Sequence, residues 1–185
     1  MRTSIRLAAV ALVVAIGLTA SGCATDDPAP KPSTSTSAAP LFASDEEALA
    51  AAEEAYAAYL AVSDTITADG GANVGRIDSV VSPSLQSAVH ASLRKYEDRN
   101  LRTTGQSNFD TATLQRSETD SAGVARVGIY VCLDVTNVRV ISADGSDATP
   151  VDRVNRLPLA IDFISTGQGS LVMDGSDSWT GENFC

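Results

Sequence analysis

The spacing of apolar residues changes once along this chain, and the change falls just after Gly105. Before it, Leu49, Ala52, Tyr56, Tyr59 and Leu60 recur at three- and four-residue steps, and Leu85, Ala88, Val89, Leu93 and Tyr96 do so again. Such spacing lays one apolar stripe along each of two helices. After it, Ala125, Val127, Ile129, Val131 and Leu133 alternate with Arg126, Gly128, Tyr130, Cys132 and Asp134. That is the twofold period of a strand with one buried face. Helices first and a run of strands afterwards predict an α+β domain, with the helices against one face of an antiparallel sheet.

Local signals set the expected boundaries. Ser44 with Glu47 forms a capping box, and Asp45 and Glu46 suit a helix N-terminus, so a first helix starts at Ser44. It is expected to run to about Ser63 and to fray before Gly70-Gly71. A short helical stretch is expected around Val74 to Val81. Ser82-Pro83 pairs an N-cap with proline at the first helical position, opening a second helix that ends near Asn100. Strands are expected from Ser107 to Arg116, Val124 to Asp134, Leu157 to Ile164 and Ser170 to Asp174. Val135 to Ile141 is expected to continue extended after a bulge, as far as the turn at Asp144-Gly145.

The amino-terminal residues read differently. Arg2 and Arg6 precede an apolar run from Leu7 to Ala20, which closes on Ala20-Ser21-Gly22-Cys23. A basic head, a short apolar run and small residues are the order of a secretory signal. About 14 apolar residues make roughly 21 Å of helix, short of the ~30 Å hydrocarbon core of a bilayer. The closing residues resemble a bacterial lipobox, with Ala20 where leucine is usual. The resemblance implies that residues 1–22 are removed and that Cys23 is S-diacylglycerylated as the new N-terminus. Two acyl chains suffice for stable anchoring. Residues 23–43, with Pro28, Pro30, Pro32, Pro40 and the Ser33–Ser37 hydroxyl run, have no apolar period and are expected to be a tether. The expected location is the extracytoplasmic face of the cell membrane.

Removing residues 1–22 leaves 163 residues, the size of one domain, taken here as 44–185. The formal charge of -10 becomes -12, because Arg2 and Arg6 leave. An acidic chain gains no counterion-release energy from phosphate backbones, so nucleic acid is not an expected partner. With Cys23 assigned to lipid, Cys132 and Cys185 remain as an even pair in an oxidising compartment, most simply a disulfide. The loop they would close is worth about 4 kcal/mol in the chain-entropy model. One histidine, and cysteines without C-x2-C spacing, give no metal site and imply no cofactor.

Helix, short helix, helix, then a long meander with Cys132-x-Asp134 on a strand and Cys185 at the end resembles the NTF2-like fold. More narrowly, it is similar to lipid-anchored NTF2-like proteins of high-GC Gram-positive bacteria. The resemblance implies a cone: N-terminal helices packed on a curved antiparallel sheet, with a pocket at the open end. Tyr56 and Tyr59 lie where the family places pocket walls, although a stripe at this spacing is ordinarily core.

Two residues are candidates for proton transfer. His90 falls at the border of the second helix's apolar side, and Asp134 falls by strand parity on the outer face with Cys132 and Arg126. A general base must reach its substrate from a site that tunes its pKa. Asp134 in that position is expected to pair with an arginine or cap a turn, and His90 to be a surface or boundary residue. The first functional reading is therefore a non-catalytic binding or interaction domain at the cell envelope. Its expected partner is a small apolar or cationic ligand in a tyrosine-lined hollow, or an envelope protein. An isomerase- or dehydratase-like pocket enzyme using His90 or Asp134 is the second, and a structural homodimer through the sheet face is the third.

Overall fold

The computed structural model describes residues 39–167 and 169–185. The expected signal, Cys23 and most of the expected tether lie outside these residues. Two helices, α1 (Asp45–Ala68) and α2 (Pro83–Asp98), flank a 3-10 turn at Val74–Ser79. Six strands follow: β1 (Leu101–Thr104), β2 (Asn108–Thr119), β3 (Ala125–Asp134), β4 (Arg139–Ser142), β5 (Arg156–Ser165) and β6 (Leu171–Ser178). They form a four-stranded sheet in the order β2-β3-β5-β6 and a separate pair, β1-β4, all antiparallel. The α+β order is the one expected.

α1 begins as its sequence dictates. The backbone N–H of Glu47 donates to Ser44 Oγ at 3.3 Å, while the Glu47 carboxylate accepts from the N–H of Ala43 at 2.8 Å. Leu41 and Phe42 also lie against the domain: Leu41 N–H donates to Thr119 Oγ1, and Phe42 packs on the core. The end of the expected tether is thus part of the folded unit. α1 outruns its expected end at Ser63, because Ile66 and Thr67 are buried and hold a further turn against the sheet layer. It ends at Ala68 and the chain turns away through Gly70-Gly71; at Gly71 φ is +85° and a Cβ would lie 2.7 Å from the Leu93 carbonyl oxygen, so only glycine fits. The buried hydroxyls of Thr67 and Thr103 share a hydrogen bond of 2.8 Å that ties α1 to β1.

Ser82 occupies the N-cap position of α2, but its hydroxyl makes no cap bond. It donates instead to Asp174 on β6. Around it the chain bridges to the β6 edge, with Met173 N–H bonding Val80 O and Ser82 N–H bonding Met173 O. That edge of the sheet is thereby covered. Ala88, expected on the buried stripe of α2, is exposed; Val89 and Leu93 carry the burial.

β3 keeps the expected parity, with Ala125, Val127, Ile129 and Val131 buried against the helices. The core joins them to Ile161, Phe163 and Met173 of the sheet and to Ala48, Ala52, Tyr56 and Leu60 of α1. Register shifts in β2 between Asp110 and Thr113, and between Leu114 and Arg116, mark bulges, with Thr111 at φ 55°. Bulges bend a strand, and β2 packs against α1. The expected extended run after β3 is interrupted: only Arg139 to Ile141 of it is extended, as part of β4, ahead of the expected turn at Asp144-Gly145. Asp134 Oδ1 accepts from the N–H of Thr136 at 2.8 Å, turning the chain at Thr136-Asn137 before β4.

Candidate functional site

Tyr56 is 2% exposed and meets Phe109 edge-on at 5.0 Å between ring centroids, with Tyr59 stacked at 6.2 Å. Burial pushes both phenols above their ordinary range. The place where a tyrosine-lined hollow was expected is filled: Ala52, Tyr56, Ile129 and Phe163 belong to one packed cluster.

A cleft of about 490 Å³ opens instead beside the second half of α1. Leu60, Asp64, Thr65, Gln106, Ser107 and Phe109 are among its walls. Tyr56, Tyr59 and His90 do not line it. The loop that forms one wall is positioned by Gly105, at φ +85°, where a Cβ would collide with the Asn137 carbonyl. Asp64 accepts from Ser107 through both its N–H (2.7 Å) and its hydroxyl (2.8 Å). The one carboxylate in the cleft is therefore committed to holding the loop.

His90 sits elsewhere, on α2. Its Nε2 lies 2.6 Å from Asp78 Oδ1, with the imidazole 19% exposed. The pair ties α2 to the 3-10 turn.

Asp134 faces outward as parity requires, and it is fully engaged. Thr136 donates to one oxygen, and Arg156 Nη1 donates to the other at 3.0 Å. Arg156 also forks onto both oxygens of Asp110, at 2.8 and 2.9 Å. Hydrogen bonds from Thr136 first, then from Arg156, hold the Asp134 carboxyl below its ordinary value; for Asp110 the order is Thr111, then Arg156. A carboxylate so held is a poor proton acceptor at neutral pH. Asp162, on the same face, pairs with Arg116 at 2.8 Å.

The rest of the outer face is covered by the chain's own end. Cys132 and Cys185 are joined, with Cα atoms 5.4 Å apart. Trp179 packs on Tyr130 at 4.9 Å, and Phe184 at 6.4 Å from each of them. Trp179 N–H donates to Pro158 O, and its indole N–H to Glu182 O. The pairing was readable from the cysteine count, whereas the packing was not. Its signal lay in aromatic residues placed near both cysteines, Tyr130 beside one and Phe184 with Trp179 beside the other.

Helices packed on a curved antiparallel sheet, entered by helix, short helix and helix, are the NTF2-like cone architecture. No protein-family model matches the sequence, and no curated protein is similar to it. Among solved structures, the chain is similar to the intermembrane space region of the chloroplast protein ARC6, with a TM-score of 0.53 and 7% identity. That match covers 72% of this chain and 97% of the other. It is also similar to a periplasmic fragment of TraM (TM-score 0.48, 13% identity, 76% and 100% covered). A third is ActVI-ORFA from Streptomyces coelicolor (TM-score 0.40, 14% identity, 72% and 96% covered). At 7% identity the first likeness is one of fold alone.

Proposed function

We propose that this protein is an extracytoplasmic lipoprotein, anchored through Cys23, whose folded domain binds or docks at the cell envelope without catalysing a reaction. One observation carries the non-catalytic part: the two candidates for proton transfer, His90 and Asp134, are spent on structural partners and do not line the cleft beside α1. The Cys132–Cys185 bond supports the location, because such bonds persist in oxidising compartments. Among the described residues no helix is long and apolar enough to cross a membrane. The sheet face offers little to a second copy, since ion pairs and the C-terminal residues occupy it.

The experiment has two arms. Cys23→Ser is expected to accumulate unprocessed precursor or to release protein into the medium, and unchanged detergent-phase partitioning with the same mature mass overturns the anchor. His90→Ala and Asp134→Asn are expected to complement a deletion strain. Loss of complementation by a stably folded His90→Ala protein overturns the non-catalytic reading.

A further inference from the structure

Ten lysines and arginines lie among the described residues, in a chain whose formal charge is -10. Arg76, Arg116, Arg126, Arg139 and Arg156 each have a carboxylate within 4.0 Å. The other five are Arg94, Lys95, Arg99, Arg102 and Arg153, and none of them has a described carboxylate within 4.0 Å. Acidic residues outnumber basic ones here, so cations left without partners are unexpected. Four of the five fall in one stretch, residues 94–102, at the end of α2 and the start of β1.

Two of these cations stand over an apolar hollow. A cleft of about 360 Å³ runs between the last turns of α2 and the β4–β5 connection. Lys95, Tyr96 and Arg99 line its helical side, and Leu101, Val140 and Pro150 line much of the rest. Lys95 and Arg99 are four residues apart on a helix, which puts them side by side. The helix C-terminus carries partial negative charge, so it tolerates cations there without a carboxylate. They remain free to meet an anion from outside.

The opposite wall is held in shape. Arg153 donates to the carbonyls of Val135 and Val138 and to Asn155 Oδ1, bracing the connection from within. Ala148 N–H bonds Val140 O, which closes it against β4. Beyond Pro150 the same segment exposes Val151 (105%) and Val154 (62%), the most exposed large hydrophobic residues of the described chain. Burial of Tyr96 in this wall raises its phenol's pKa, so it stays a neutral hydrogen-bond donor.

We propose that this cleft binds a small anionic amphiphile. Its carboxylate or phosphate is held by Lys95 and Arg99, and its apolar body lies on Leu101, Val140 and Pro150. Charge complementarity selects the class: a cationic or neutral apolar molecule would leave both cations desolvated and unpaired. The volume, about a dozen water volumes, falls within the range of small-ligand sites and suits a medium-length chain. The inference stands independently of the anchor, and it differs in sign from the cationic ligand expected from net charge.

The test uses the full chain carrying Cys23→Ala, so that no attached acyl chain competes. Dodecanoate and dodecyl phosphate, kept below micelle formation, are titrated by calorimetry, with dodecyltrimethylammonium as the opposite-charge probe. Saturable 1:1 binding of both anions is expected, at least ~10-fold tighter than the cation. Lys95→Glu with Arg99→Glu is expected to abolish it, while Arg94→Glu, which does not line the cleft, leaves it unchanged. Lys95→Gln with Arg99→Gln, checked by circular dichroism, serves if charge reversal impairs folding, and is expected to weaken binding ~10-fold. No saturable binding, equal binding of the cation, or anion binding indifferent to the glutamine pair each overturns the proposal. So does binding to phosphatidylglycerol vesicles without binding to the monomeric anions, which would make the patch a membrane contact.

Discussion

The two faces of β3 are built from the same ten residues and held in opposite ways. Inward, Val127, Ile129 and Val131 are buried against Ile161, Phe163 and the α1 side chains, and nothing there is polar or specific in its pairing. Outward, Arg126, Tyr130, Cys132 and Asp134 each have a named partner: a carboxylate, a tryptophan, a cysteine, an arginine. The inner face is stabilised by area removed from water, which scarcely responds to pH or redox state. The outer face depends on protonation and on one covalent bond. A single strand thus couples a condition-independent core to a condition-dependent surface.

The largest effect is expected on the inner side. Phe163→Ala should cost about 4 kcal/mol, because a fully buried ring leaves a cavity the cone cannot close. Urea unfolding should give the same loss with and without reductant. A loss that shrinks markedly on reduction would mean the two faces are not separable. On the outer side, Cys185→Ser should cost about 3 kcal/mol, somewhat less than the ~4 kcal/mol of the chain-entropy model, since the aromatic packing of Trp179 on Tyr130 persists. Two titratable thiols in non-reduced, denatured protein carrying the Cys23→Ala change would refute the bond itself.

Alternation along β3 was enough to assign both faces, because parity survives wherever no bulge intervenes. Helix starts were equally legible, since Ser44 and Ser82-Pro83 act locally. Ends were not. α1 continues past Ser63 because Ile66 and Thr67 find burial that only the assembled fold supplies. β1 is not legible in the sequence, because four residues, Leu101–Thr104, carry too little periodicity and their partner β4 lies far along the chain. The candidate site was least legible. Tyr56 and Tyr59 have the spacing of core and of pocket alike, and only packing decides. Lys95 and Arg99 stand out only in the fold, where half of the described cations have a carboxylate close by and these two instead line an apolar cleft.

A smaller effect is expected from acid. Asp110 and Asp134 have folded pKa values depressed below the ordinary 3.8, by hydrogen bonds from Thr111 and Thr136 first and from Arg156 next. Asp174 is depressed as well, chiefly by Ser82. A depressed folded pKa means the unfolded chain binds protons first as the pH falls. The stabilisation is therefore complete above about pH 5 and is lost as the pH drops through 3.8 toward the folded values. Chemical denaturation between pH 6 and 3 should show this decline, and Arg156→Gln should flatten it while leaving the Phe163→Ala loss intact. A decline unchanged in Arg156→Gln would show that Arg156 contributes nothing to it and that the hydrogen bonds from Thr111, Thr136 and Ser82 carry the acid sensitivity.

The smallest effect is expected at His90, and it tests whether the comparison reaches beyond the sheet. The imidazole and Asp78 form a partly exposed pair between α2 and the 3-10 turn, and pairs of that kind contribute about 0–1 kcal/mol. Its loss leaves no buried group stranded, because Asp78 can turn to water. His90→Ala should therefore shift the urea midpoint only slightly, without changing the slope of the transition. A cost above ~2 kcal/mol would show that the α2 contact is held by specific pairing as the outer face of β3 is. Packing by Val89 and Leu93 would then be the lesser part of that contact.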